Sequence, residues 1–265
     1  MSRVRSLVRR HPAAVFVALA VALSWTGWLP GVAGRLPGAT DWLPGLAPAV
    51  AGVAVAVVSE GRAGVRTLAR RLGRWRGGVP WAFAVAFPVV GVGVVTLVGG
   101  AGDVSSLSTP DPQALAVVVG WALAGELGWR GVCLPALQRS YSPLASSVLL
   151  GAAWTAWATP SVAVSTVGAP VAWLSLHLVA LSVLFTWLYN RTGGSLLVGV
   201  GFHAGLVAVG WLLPTLATRA TESSGFVAGA VLAAATAALV AFAPSGFDDP
   251  PSPERRGRRR STEWL

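Results

Sequence analysis

Eight long apolar runs constrain this chain more than any other feature it has. They lie near 12–33, 43–59, 80–99, 113–137, 143–159, 168–189, 194–217 and 224–243. A helix needs about 20 apolar residues, within roughly 17–25, to cross a bilayer core. Inside that core every backbone N–H and C=O must be satisfied within the segment, which favours helices. The runs at 43–59 and 143–159 sit at the short end of that range. Spread over 265 residues, eight runs leave room for short loops and one tail, and none for a separate soluble domain. The expected fold is therefore all-α, a polytopic transmembrane bundle of about eight helices over 1–243 with both termini cytoplasmic. Its polar candidates fall in a core of about 113–215. Residues 244–265, rich in Pro, Ser and charge, are expected to form a disordered basic cytoplasmic tail. Charged residues make up only 11% of the chain, against about 25% in soluble domains. The N-terminus looks briefly like a signal peptide, but its apolar segment runs from Pro12 to about Val32. That exceeds the roughly 7–15 residues of a signal core, so it is expected to be the first span.

The net charge of +10 raises nucleic acid as a partner, and the placement of the charge argues against it. All 20 basic residues are Arg, clustered beside apolar runs at Arg3 to Arg10, Arg62 to Arg76 and Arg255 to Arg260. Clusters so placed act as topology signals and meet anionic headgroups, so the expected partner is the lipid bilayer. With the N-terminus inside, eight spans put 17 Arg on the inner side and two, Arg35 and Arg219, on the outer side. The remaining one, Arg130, lies within the fourth run. This is the asymmetry of the positive-inside rule. Arg to the exclusion of Lys suggests a GC-rich genome, and with it a prokaryotic cell membrane. Segment 61–78 repeats Val65, Leu68, Leu72 and Trp75 at helical spacing among six Arg. That pattern fits a basic amphipathic helix on the membrane surface, with a solvated basic loop as the alternative.

Ionisable residues within the runs are few, and on insertion scales each costs about 2.5–3.5 kcal/mol at mid-bilayer. They are Glu126 and Arg130 in the fourth run, His177 in the sixth and His203 in the seventh. Glu126 and Arg130, four apart, share one helix face and can pair. Spacing leaves two roles open, a lock between packed helices or a catalytic carboxylate held by an Arg. His177 could act as a ligand or hydrogen-bond across helices. The single Cys133 excludes an intrachain disulfide, and no activating base stands near it in sequence. His11 flanks the first span beside Arg9 and Arg10.

Three stretches, GELGWRGVCLPALQ (125–138), LLGAAWTAWATP (149–160) and YNRTGGSLLVGVGFHA (189–204), resemble the CPBP family in order and spacing. These intramembrane metalloproteases include the type II CAAX prenyl endopeptidases and proteins linked to bacteriocin processing and immunity. The resemblance covers most of 40–215 and includes the basic segment 61–78. It implies three motifs: Glu-Glu-x-x-x-Arg, aromatic-x-x-x-His, and His-x-x-x-Asn or Asp. In the family these together hold a metal or activated water, supply the base and stabilise an oxyanion. Here the first reads Gly125-Glu126-x-x-x-Arg130, the second Trp154-x-x-x-Ala158 and the third His203-x-x-x-Val207. The motif Glu, His and Asn positions are thus Gly125, Ala158 and Val207. With a turn near Ser142, Glu126 and Ala158 each lie 16 residues from it, roughly 24 Å along their helices at about 1.5 Å per residue.

The remnant motif positions Glu126, Arg130 and His203 are the expected site. They fall short of the three protein ligands a catalytic zinc usually takes. The expected function is a CAAX-protease-like membrane protein with lost or impaired peptidase activity and no cofactor, binding a membrane peptide, a lipid or a membrane protein in the old cavity. One alternative is an active metalloendopeptidase with zinc held by His203, Glu126 as its carboxylate and His177 in support. Another is a small-solute transporter, against which stands the lack of an internal repeat.

Overall fold

A computed structural model of the chain describes residues 3–32, 44–75, 77–99, 111–164, 171–216 and most of 232–247. Its helices are α1 (Arg3–Arg10), α2 (Pro12–Val32), α3 (Ala47–Glu60, entered through a 3₁₀ turn at Pro44–Leu46) and α4 (Arg62–Leu72). Then come α5 (Val79–Gly99), α6 (Pro112–Gly128), a π turn at Trp129–Cys133, α7 (Leu134–Leu137), α8 (Pro143–Val164), α9 (Val171–Arg191) and α10 (Leu196–Leu216). The described residues contain no strand. Seven of the eight apolar runs coincide with helices. Three segments, Pro12–Leu29, Pro112–Leu137 and Val171–Arg191, are each long and apolar enough to cross a membrane, and Pro44–Glu60, Val79–Gly91 and Leu196–Ala208 are shorter apolar helices. The eighth run lies mostly outside the described residues; within it 234–236 and 238–242 are helical.

Local chemistry sets the boundaries. Pro12, Pro112 and Pro143 open their helices, where the missing N–H costs nothing and φ is already helical. Asp111 caps α6 by accepting from the Gln113 N–H at 3.1 Å. Gly61 turns the chain between α3 and α4 at φ 63°, a conformation that favours glycine. The basic helix ends at Leu72, short of the expected 78, because Gly73 closes it and Gly77-Gly78 follow, Gly78 at φ 87°. Its apolar stripe is shared between protein and surroundings: Leu68 is buried in the bundle while Val65 and Trp75 are exposed.

Polar contacts gather the Arg-bearing loops at one end of the bundle. Arg139 pairs with Glu60 at 3.6 Å, Arg74 donates to the Gly193 carbonyl, and the Ser195 hydroxyl donates to the Arg74 carbonyl at 2.6 Å. Gln138 donates to Asn190 at 3.2 Å. Residues 244–247, expected to begin the disordered tail, instead dock at this same end. Asn190 donates to the Gly246 carbonyl at 2.8 Å and Arg191 to the Ser245 hydroxyl at 2.7 Å. Residues 248–265 lie outside the described residues.

The fourth apolar run is broken by the π turn, for a reason present in its sequence. The Leu134 N–H reaches back to the Trp129 carbonyl, and Pro135, one residue on, has no N–H to offer Gly131. The Gly131 carbonyl is left over and accepts from Arg71 Nη1 of α4 at 3.0 Å. Just before this turn, α6 meets α3 through glycines. A Cβ on Gly52 would stand 2.9 Å from the Gly128 Cα, and one on Gly128 would strike the Pro48 carbonyl and the Phe16 ring. Small residues let backbones approach where apolar surroundings supply no hydrophobic drive. Gly128→Ala is therefore expected to destabilise the protein by about 1–3 kcal/mol through overpacking. Gly120→Ala, on the same helix with open space around it, should be neutral or stabilising by up to about 1 kcal/mol from helix propensity. Thermal unfolding in detergent measures both.

Candidate functional site

Glu126 lies on α6 one turn before the π bend, 0% exposed, and Arg130 lies within the bend, 1% exposed. Arg130 Nη1 donates to Glu126 Oε1 at 3.1 Å, the pair that the four-residue spacing allows. The same oxygen is 3.0 Å from His203 Nδ1 on α10. A carboxylate only accepts, so His203 is assigned the tautomer with its proton on Nδ1, leaving Nε2 as an acceptor. All three remnant motif residues thus converge on one carboxylate oxygen. Oε2 of Glu126, with Nε and Nη2 of Arg130, has no hydrogen-bond partner among the described residues.

Aromatic faces complete the surroundings of Arg130. Its guanidinium carbon stands 3.8 Å from the Phe185 ring centre on α9 and 4.6 Å from the Trp154 ring centre on α8. Two π faces hold a cation in an interior that offers little water. The same two rings flank His203, at centroid distances of 5.6 and 5.8 Å. Trp129 in turn meets Trp154 and Trp157 edge-on or tilted, at 6.4 and 6.0 Å. Trp157 Nε1 donates to the Ser24 hydroxyl at 2.6 Å, which donates to the Pro44 carbonyl at 2.7 Å.

The three apolar motif positions lie close to these groups. A Cβ on Gly125 would stand 3.0 Å from His203 Cε1, so the position of the family's leading carboxylate faces the histidine. Ala158, buried, is one turn beyond Trp154 on α8, and Val207, half-buried, is one turn beyond His203 on α10. His177 is half-buried on α9, and no contact joins it to Glu126 or His203 among those described. Cys133 is buried as a free thiol in the π turn, and His11 is exposed between α1 and α2. Zinc needs about three protein ligands. Among the described residues no three of His, Cys, Asp and Glu come together to hold a metal. One oxygen of Glu126 is already committed to Arg130 and His203. The donor set therefore does not fit a zinc centre.

Two contributors escape sequence reasoning. Phe185 sits in the uniform apolar run of α9, where nothing distinguishes it from its neighbours. Gly199 is one turn before His203, and a Cβ there would stand 2.8 Å from Glu126 Oε2. Its bare backbone lets α10 close on the carboxylate. The only available signal was its place four residues before His203, on the same helix face.

Comparison with known proteins finds a family-model match and a distant relative. Residues 108–209, which contain Glu126, Arg130, Trp154, Ala158 and His203, match the family model described as type II CAAX prenyl endopeptidase Rce1-like. A relative from Methanococcus maripaludis, CAAX prenyl protease 2, is 27% identical over 107 residues. That match covers 37% of this chain and spans only 40% of the relative's length.

Removing one partner of a buried pair strands the other charge, at a cost of about 3–5 kcal/mol, whereas replacing both with apolar groups is often close to neutral. Glu126→Leu is accordingly expected to destabilise the protein by about that amount, and Glu126→Leu with Arg130→Met to recover most of it. A double variant no more stable than the single one in thermal unfolding would contradict the pairing.

Proposed function

From the premise that residues 108–209 carry an Rce1-like CAAX-protease domain, we propose that this chain is a membrane protein of that family with lost or impaired peptidase activity. One observation carries the reading. The surviving carboxylate, Glu126, is charge-paired with Arg130 and bonded by His203 through a single oxygen, and Gly125 stands where a second carboxylate would activate water. General-base catalysis requires a carboxylate free to take a proton, and here Oε1 is already engaged by both Arg130 and His203. The bundle then serves as a scaffold in the cell membrane that engages a membrane peptide, a lipid or another membrane protein. We extend the proposal to eight spans with both termini cytoplasmic. Its support is the Arg count together with the meeting of Arg71, Arg74, Arg139 and Arg191 at one end of the bundle.

A second reading, an active metalloendopeptidase, has one observation in its favour. His203 keeps Nε2 available beside Glu126, whose Oε2 is also without a described partner. The small-solute transporter has no observation to support it.

Purified protein is expected to carry no stoichiometric zinc and to leave prenylated and plain CAAX peptides uncleaved. Metal-dependent cleavage that disappears in Glu126→Ala and His203→Ala would overturn the proposal. The triple variant Gly125→Glu, Ala158→His, Val207→Asn is expected to gain zinc, measured by elemental analysis, because Gly125 faces His203, Val207 is one turn from it, and Ala158 is one turn from Trp154, whose ring flanks His203.

A further inference from the structure

We infer a binding site for a phosphate-bearing anionic headgroup in a cleft at the Arg-rich end of the bundle. The cleft has a volume of about 190 Å³ and is walled by Arg9 from α1, Glu60 from α3, Arg71 from α4 and Arg139 from the turn after α7. None of Glu126, Arg130 and His203 lines it, so it is separate from the site above.

Three guanidinium groups face one carboxylate here, leaving the cleft with excess positive charge. Among the described residues Glu60 pairs with Arg139 alone, at 3.6 Å between exposed side chains. Arg71 commits Nη1 to the Gly131 carbonyl, which leaves Nε and Nη2 to donate elsewhere. Arg9 makes no hydrogen bond or ion pair among those described. Two hydroxyls also line the cleft, but Ser59 donates to the Val55 carbonyl at 2.6 Å and Thr67 to the Ala63 carbonyl at 2.9 Å. Recognition therefore falls to the Arg side chains, whose forked donors suit phosphate oxygens.

The surroundings point to a lipid as the source of the phosphate. Val55, Leu68, Val132 and Pro135 form an apolar floor. Two walls belong to α1 and α4, both basic and amphipathic, and on them Val4, Leu7 and Val65 are 65%, 55% and 40% exposed. Helices of this kind lie at the headgroup level with their apolar side chains toward the acyl region. A cleft between them opens where phospholipid headgroups are.

The test uses the full chain in a neutral detergent, titrated with short-chain phosphatidylglycerol, phosphatidylcholine or glycerol 3-phosphate and followed by thermal unfolding. Saturable stabilisation by phosphatidylglycerol is expected, with little from the other two. Arg9→Gln and Arg139→Gln should each weaken that binding about fivefold, corresponding to about 1 kcal/mol per Arg near an anionic surface. Glu60→Gln should strengthen it, a change of opposite sign that general damage to the fold would not produce. Arg66→Gln and Arg70→Gln, on the outer face of α4, should leave it unchanged. Glycerol 3-phosphate binding as tightly as the lipid would overturn the lipid assignment in favour of a free phosphate ester. Equal effects from phosphatidylcholine, or from all four Arg substitutions, would reduce the cleft to diffuse surface charge and overturn the site itself.

Discussion

A carboxylate in an apolar interior must have its charge answered, and Glu126 is charge-paired through one oxygen with Arg130 of the π turn and hydrogen-bonded on that same oxygen by His203 from α10. Much of the surrounding packing serves that arrangement. Gly199 brings the α10 backbone close enough for the contact, and Phe185 and Trp154 cover the guanidinium from α9 and α8. Four helices are thereby held in register by a buried ion pair, in which removing one partner costs about 3–5 kcal/mol. The cost becomes specificity. Packing of Leu, Val and Ala alone tolerates slippage along a helix, whereas a stranded charge does not.

The π turn extends this register toward the Arg-rich end. It places Arg130 directly after Glu126 within a bend whose leftover carbonyl, Gly131, is met by Arg71 from α4. The basic helix is thus bonded to the segment that carries the buried pair, rather than resting against the bundle by apolar contact alone. Its other links, through Arg74 and Ser195, reach the loop between α9 and α10. The surface helix and the two site-bearing hairpins meet at the same end of the molecule, and the headgroup cleft lies among them.

The departures from the family pattern are consistent with one another. Gly125, Ala158 and Val207 are all small or apolar; Gly125 faces His203, Val207 lies one turn beyond His203, and Ala158 lies one turn beyond Trp154, whose ring covers Arg130. Apolar groups at all three positions bring no donor or acceptor of their own into the interior, while losing only one polar partner would leave the others stranded. A buried polar network is stable when complete or when reduced to a self-satisfied remainder. Glu126, Arg130 and His203 keep their mutual bonds through Oε1, while Glu126 Oε2 and Arg130 Nε and Nη2 have no partner among the described residues.

The amino-acid sequence determined the helical membrane architecture, because apolar runs of span length admit hardly any other backbone solution. It also determined the Glu126–Arg130 pair, since a spacing of four residues is a local property of any helix. The meaning of Pro135 was present too, as a missing N–H, although its consequence appears only once Arg71 arrives from another helix. Tertiary structure decided the rest. That His203 shares the Glu126 oxygen, that Phe185 rather than another apolar residue of α9 covers Arg130, that Gly199 is needed and His177 stands apart all depend on which helix faces which. Helices whose faces are almost uniformly apolar carry little record of their own rotation. Their partners were therefore set by close packing of glycine backbones and aromatic rings in three dimensions, which no periodicity along the chain encodes.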